Sequence, residues 1–184
     1  MIAGAAKGHK LQTVDGLNTR PTTDRIKETL FNIIAFSLPE CRFLDLFSGS
    51  GAIGIEALSR GAKEAVFVEE ATACHAVILK NLEHTKLIER ARVMKSDVMT
   101  ALDKLSEEGL TFDIIFMDPP YAAGLAEPAL KAIAAGGLLK ADGVVIVERS
   151  AKMPFLPVSG YYIDREKEYK TTVMTFLRPE ESAT

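Results

Sequence analysis

The sequence predicts an α/β protein whose mostly parallel sheet is covered by helices on both faces and ends in an antiparallel C-terminal hairpin. Three observations carry this. Short apolar runs alternate with segments of helical length from Arg42 to Val147, the rhythm of βαβ units. A glycine cluster at 49–54 closes the first of these runs and opens a helical one, as a tight βα turn requires. After residue 150 two extended runs follow without a full helix between them. At 184 residues, 47% apolar and 26% charged, the chain is ordinary for a globular protein and suffices for one domain without disulfide or metal.

The elements follow in order. Arg42–Phe47 reads as a buried strand. Ala52–Arg60 reads as a helix with Ile53, Ala57 and Leu58 on one face and Gly61 just past its end. Ala65–Val68 is a second strand, and Thr72–Thr85 a helix with Ala76, Leu79 and Leu82 inward. Ala91–Met94, Phe112–Met117 and Val144–Val147 continue the strands, separated by helices at Val98–Glu107 and Leu125–Ala135. Tyr161–Lys167 and Thr171–Leu177 form the hairpin at the sheet edge. Ahead of the sheet, Ala3–Val14 reads as a small β-hairpin turning near Lys7-Gly8. Pro21-Thr22-Thr23-Asp24 opens a helix with a threonine N-cap and an apolar stripe of Ile26, Leu30, Ile33 and Ile34. The expected organisation is an N-terminal extension over 1–40, a core over 41–178 and a frayed tail over 179–184, together one compact domain.

Charge and composition exclude several classes. No run approaches a membrane span, and no secretory signal is visible at the N-terminus. Cys41 and Cys74 form no CxxC pair and, with His9, His75 and His84, lack metal-ligand spacing. The expectation is a cytoplasmic, monomeric protein with neither metal nor membrane partner. The net charge of −3 hides two basic ends. Residues 1–27 carry Lys7, Lys10, Arg20, Arg25 and Lys27 against Asp15 and Asp24, and residues 149–178 hold six Lys and Arg against three acids. These are either solvated faces or a platform for a polyanion.

The run Asp45-Leu46-Phe47-Ser48-Gly49-Ser50-Gly51-Ala52-Ile53-Gly54 fits G-x-G-x-x-G between a strand and a helix, with Glu69 at the end of the next strand. Such a loop lets the backbone approach a nucleoside, and Glu69 is placed to accept from ribose hydroxyls. Asp45 would repel a pyrophosphate but would receive the ammonium of a methionine moiety, which favours S-adenosylmethionine over a dinucleotide. Asp97 can accept from an adenine amino group, with Val98 covering the adenine face; Asp97 also suits a helix N-cap.

Asp118-Pro119-Pro120-Tyr121 follows the fourth strand, at the carboxyl end where open α/β sheets keep their sites. Two prolines fix the backbone and remove two donors, so carbonyls and the Asp118 carboxylate converge as acceptors. That cluster suits a planar exocyclic amine, whose lone pair localises once its hydrogens are accepted. Tyr121 offers a stacking face. Positioning and electrostatics carry the chemistry, with no covalent enzyme intermediate.

At this point the chain resembles the RsmD family of bacterial small-subunit ribosomal RNA guanine-N2 methyltransferases over nearly its whole length. The resemblance rests on Gly4, Lys7-Gly8 and Lys10-Leu11; on Arg20-Pro21-Thr22-Thr23-Asp24-Arg25, Lys27-Glu28 and Leu30-Phe31-Asn32; on Asp45–Gly54 with Glu56-Ala57-Leu58-Ser59-Arg60-Gly61-Ala62; and on Phe67-Val68-Glu69 and Asp118–Tyr121. It implies a Rossmann-like S-adenosylmethionine-dependent methyltransferase fold with a seven-stranded sheet. It also implies methylation of one guanine of 16S ribosomal RNA within an assembled or assembling small subunit, leaving S-adenosylhomocysteine. On this reading Lys7, His9, Lys10, Arg20 and Arg25 face RNA. Position 9 is His where an arginine is common in the family, which lowers the charge of that segment. Thr22, Thr23 and the helix-start N–H groups suit either the cofactor carboxylate or simple capping. Arg20 and Arg25 suit cofactor carboxylate, RNA phosphate or an internal acid.

Three other functions share parts of this pattern. DNA adenine-N6 methyltransferases also use Asp-Pro-Pro-Tyr but need extra mass to read DNA, and fewer than 45 residues precede the sheet here. Protein glutamine methyltransferases generally carry Asn where this chain has Asp118. A non-catalytic RNA-binding assembly factor would have no need of an intact Asp118–Tyr121 loop.

Overall fold

Helix α1 (Asp24–Ile33) begins where Thr23 caps it. The Thr23 Oγ1 accepts the Ile26 N–H at 3.4 Å, and Asp24, in the first turn, pairs with Lys27 at 2.9 Å. Both features favour the positive end of the helix dipole. Leu30, Phe31 and Ile34 are buried, whereas Ile26 and Ile33 are only half-buried. Phe31 joins the stripe, and the Arg60 guanidinium lies over its ring, 4.9 Å from the centroid. The computed structural model describes residues 1–14, 23–120, 124–155 and 158–180, and chain contacts divide it into two units, Met1–Asp97 and Val98–Thr184.

The first unit continues as β1 (Arg42–Leu46), α2 (Ala52–Ser59), β2 (Glu64–Glu69), α3 (Thr72–Thr85) and β3 (Ala91–Lys95). β1 pairs with β2 and β2 with β3, both parallel. The apolar runs Phe43–Leu46 and Ala65–Val68 are buried throughout, as parallel strands covered on both faces must be. Helix α2 is buried on nearly every side, from Ile53 to Ser59, rather than on a single stripe. The inward residues of α3 are Cys74, Ile78, Asn81, Leu82 and Thr85. Of the expected three only Leu82 is buried; Ala76 is exposed and Leu79 half-buried. The stripe is rotated because two polar residues, Asn81 and Thr85, find internal partners that a hydrophobicity pattern does not register.

The expected N-terminal hairpin is not formed among the described residues: no strand lies within residues 1–14. The chain does reverse near Lys7-Gly8, with Lys7 N–H donating to Gly4 O, Gly8 N–H to Met1 O, and the terminal ammonium to His9 O. A ladder is absent because α2 takes the amides. The Glu56 carboxylate accepts from Ile2 and Ala3 N–H, each at 3.0 Å. The Ser59 hydroxyl accepts from Ala6 N–H at 2.9 Å and donates to Ala3 O at 2.6 Å.

The second unit contains α4 (Val98–Glu107), β4 (Phe112–Met117), α5 (Ala126–Ala135), β5 (Leu139–Ser150), β6 (Tyr161–Glu168) and β7 (Thr172–Pro179). β4 and β5 are parallel, and β7 runs antiparallel to both β5 and β6. β5 is much longer than the apolar run Val144–Val147, because Leu139 and the residues up to Ser150 find partners on β4 and β7. Two residues of the expected 179–184 tail are described. Pro179 ends β7, and Glu180 N–H donates to Gly160 O at 2.9 Å; residues 181–184 lie outside the described residues. The sheet has seven strands in the order β3-β2-β1-β4-β5-β7-β6, mostly parallel with the antiparallel ribbon at one edge, which is the Rossmann-like arrangement expected.

Candidate active site

The glycine loop links the end of β1 to α2. Phe47, Gly49 and Gly51 all have positive φ, at 59°, 57° and 78°, so the strand turns into the helix within a few residues. Gly51 in the left-handed region is the N-cap of α2, and its N–H donates to Ser48 O at 2.7 Å. A Cβ on Gly49 would meet nothing within 4 Å, so the backbone there borders open space where a ligand can approach. Gly54 is different. A Cβ there would stand 2.3 Å from Phe67 Cε1, so this glycine serves close packing of α2 on β2, one of the roles of the third glycine in such loops.

Asp45 and Ser48 also serve the loop's architecture. Asp45 is 1% exposed, and its Oδ2 accepts the Gly54 N–H at 3.0 Å. The carboxylate expected to receive an ammonium group is thus turned to the start of α2. Burial pushes its pKa up to about 7, opposed by the Gly54 N–H and reinforced by the negative charge of Glu69. The Ser48 hydroxyl donates to Asp45 O at 2.6 Å and accepts from Val68 N–H at 3.1 Å. It bridges β1 and β2.

Glu69 ends β2 where it was expected. Its Oε2 accepts the Gly49 N–H at 2.8 Å and its Oε1 the Ala71 N–H at 2.9 Å. Each oxygen keeps acceptor capacity beyond these bonds. Ser96 N–H donates to Glu69 O at 3.3 Å, which brings the segment after β3 alongside; Asp97 is exposed there and Val98 begins α4. The open face at Gly49, a carboxylate oriented by two backbone amides and an acidic residue after β3 are a donor and acceptor set that fits a nucleoside with a ribose diol. The capping role is realised at Thr23; Thr22 and Arg20 lie outside the described residues. Arg25, Lys7 and Lys10 are exposed, while His9 is half-buried with Nδ1 3.0 Å from Ala6 O.

In the second unit, Asp118-Pro119-Pro120 follows the last residue of β4 directly. Asp118 is half-buried, Pro119 buried and Pro120 exposed. The buried residues Ile114–Met117 anchor the loop from behind. Tyr121 lies outside the described residues. Among the described residues no group of three or more His, Cys, Asp or Glu is placed to hold a metal, and no helix is long and apolar enough to cross a membrane.

Glu56, Ser59, Asn81 and Arg90 were not singled out individually by sequence reasoning. Glu56 and Ser59 stand within the resemblance motif, and the signal for them was a charged and a polar residue inside an otherwise apolar helix. Arg90 donates to Ala62 O and Leu58 O, at 2.8 and 3.1 Å, and so closes the C-terminal end of α2.

This architecture is that of the Rossmann-like methyltransferases. A solved structure described as an RNA methyltransferase from Salinibacter ruber in complex with S-adenosyl-L-homocysteine superposes with a TM-score of 0.68 at 18% identity, over 88% of this chain and 95% of that one; at that identity the likeness shows the fold. The solved structure of yhhF from Escherichia coli matches with a TM-score of 0.87 at 36% identity, covering 99% and 98% of the two chains. The Escherichia coli (strain K12) protein named Ribosomal RNA small subunit methyltransferase D is 37% identical over 169 residues, 91% of this chain and 83% of that protein. The family described as Conserved hypothetical protein 95 matches residues 1–178. The chain belongs to this family, the RsmD family that its motifs resemble.

Proposed function

We propose that this protein is an S-adenosylmethionine-dependent methyltransferase acting on ribosomal RNA. Its target is the exocyclic N2 of a guanine in the small-subunit 16S RNA, within an assembled or assembling particle. The observation that carries this is the 37% identity over 91% of the chain to a small-subunit ribosomal RNA methyltransferase, joined to an Asp-Pro-Pro loop at the carboxyl end of β4.

The cofactor, when bound, supplies a methyl group on a sulfonium that a nitrogen can attack directly. The open backbone at Gly49 and the adjoining Ser50 receive it. Glu69 takes the ribose hydroxyls on the lone pairs that the Gly49 and Ala71 amides leave, and Asp97 with Val98 takes the adenine. Asp118 and the neighbouring carbonyls accept the hydrogens of the guanine amine. This draws its nitrogen toward tetrahedral geometry and localises the lone pair. Pro119 and Pro120 keep the loop free of competing donors, and Tyr121 stacks the base. Asp118 acts as an oriented acceptor, since the amine loses its proton only after the methyl has moved.

The test offers labelled S-adenosylmethionine with naked 16S RNA, small-subunit particles, DNA and protein in parallel. Label on one guanine N2, strongest on particles, is expected. Label on DNA adenine or protein glutamine, or no transfer with binding intact, overturns the reading. Asp118→Ala is expected to lower transfer by about 10²-fold or more while calorimetric binding of S-adenosylhomocysteine persists. Undiminished transfer overturns the role of Asp118.

A further inference from the structure

Asn81 is 1% exposed on the inward face of α3, where an unsatisfied amide is costly. It is satisfied by two segments far apart in sequence. Its Oδ1 accepts the Gln12 backbone N–H at 2.8 Å, and its Nδ2 donates to the Gln12 carbonyl at 3.0 Å. The same Nδ2 donates to the Ser50 carbonyl at 3.0 Å. One buried amide therefore joins the N-terminal segment to the glycine loop, and both of its donors are consumed in doing so. Three residues further along α3, the His84 ring meets the His9 ring edge to face, centroids 5.1 Å apart. Residues 9–12 thus lie along α3 and carry the exposed Lys10. Ser50 lies between the two left-handed glycines of the loop, where a ligand entering the open space beside Gly49 would meet it.

We propose that Asn81 is a positioning residue that couples the glycine loop to the N-terminal segment, so that occupancy of the loop orders residues 9–13 and presents Lys10 for substrate. The presentation of Lys10 to RNA rests on the function proposed above; the ordering of the segment needs only a ligand in the loop. Ordering by the first ligand lowers the cost of binding the second, which is positive coupling between two sites.

Amide hydrogen exchange on the full chain tests this with S-adenosylhomocysteine as the probe. Saturating ligand is expected to slow exchange at residues 9–13 about fivefold or more. In Asn81→Asp, which keeps the shape but loses both donors, and in Asn81→Ser, that slowing is expected to vanish while Gly49 and Val68 still respond to ligand. Gln12→Ala leaves every bond to Asn81 in place, because all are to the backbone, and is expected to behave as wild type. The proposal is overturned if the wild-type segment does not respond to ligand, if both Asn81 variants keep the response, or if they no longer bind ligand, since Asn81 would then hold the loop alone. A chain that orders residues 9–13 on ligand binding but methylates no RNA sinks the proposed function and leaves this coupling standing.

Discussion

Two Arg–Glu pairs in this molecule have nearly the same length and very different surroundings. Arg60 meets Glu56 at 2.8 Å inside the first unit, with the Glu56 side chain fully buried. Arg149 meets Glu166 at 2.7 Å on the C-terminal ribbon, with the Glu166 side chain 42% exposed. Glu56 also holds two backbone amides of the N-terminal turn, whereas Glu166 also accepts from the Thr175 hydroxyl. Separation alone therefore says little about what a pair does. The buried carboxylate organises a segment, and water screens the exposed one.

Four measurements would break or sharpen that contrast. The largest effect is expected from Glu56→Ala, which leaves Arg60 and two amides without their acceptor. Breaking a buried pair of this kind costs roughly 3–5 kcal/mol, read as a fall in the denaturation midpoint together with faster exchange at Ile2 and Ala3. A loss below 1 kcal/mol would make the two pairs equivalent.

Asp45 comes next. Its folded pKa of about 7 stands above the ordinary 3.8, so between those values the native state binds more protons than the unfolded one. Its contribution to stability is fully present below pH 4 and declines as pH rises through 7, by a few kcal/mol. Asp45→Asn keeps an acceptor for Gly54 N–H and is expected to remove that decline between about pH 4 and 7. An identical pH slope in the variant would assign the titration elsewhere.

The docked turn also has an outward side. Lys7→Gln and Lys10→Gln are each expected to weaken substrate binding a few-fold and to reduce the salt slope by about 0.7–0.9, without a change in stability. A slope equal to wild type would remove both residues from the RNA contact. The smallest effect is expected from Glu166→Ala. The Arg149 hydrogen bond holds the Glu166 carboxyl below its usual range, so the pair contributes above pH 4.5 and is lost as pH falls. At this exposure the loss is at most about 1 kcal/mol. A cost near that of Glu56→Ala would erase the distinction.

How far the sequence carried the reading differed by element. The bounds of α3, α4 and β4 agree with those read from the sequence, because local propensity and flanking residues set them, even in α3 where the buried face does not follow the apolar pattern. The left-handed Gly49 and Gly51, the placement of Glu69 after β2 and the Asp118 loop after β4 were likewise legible, since each needs only a short motif in a strand-to-helix context. For Asp45, Ser48 and Gly54, read from the sequence as cofactor-binding, the structure adds backbone and packing partners: a motif tells which residues share a loop but not which way each side chain turns. The N-terminal hairpin failed for a related reason. Residues 1–14 have turn chemistry of their own, but their amides are claimed by Glu56, Ser59 and Asn81, which stand dozens of positions away.

By itself the sequence determined the α/β class, the strand-to-helix glycine turn, the acceptor-rich loop and the family. These depend on near neighbours, on hydrophobic period and on backbone restrictions that proline and glycine impose locally. Only the tertiary structure decided the full length of β5, the rotated face of α3 and the bonding of the N-terminal turn. Those outcomes depend on buried polar atoms finding partners across the chain. A buried amide or carboxylate is tolerated only where its hydrogen bonds are met, and no local pattern reveals where those partners are.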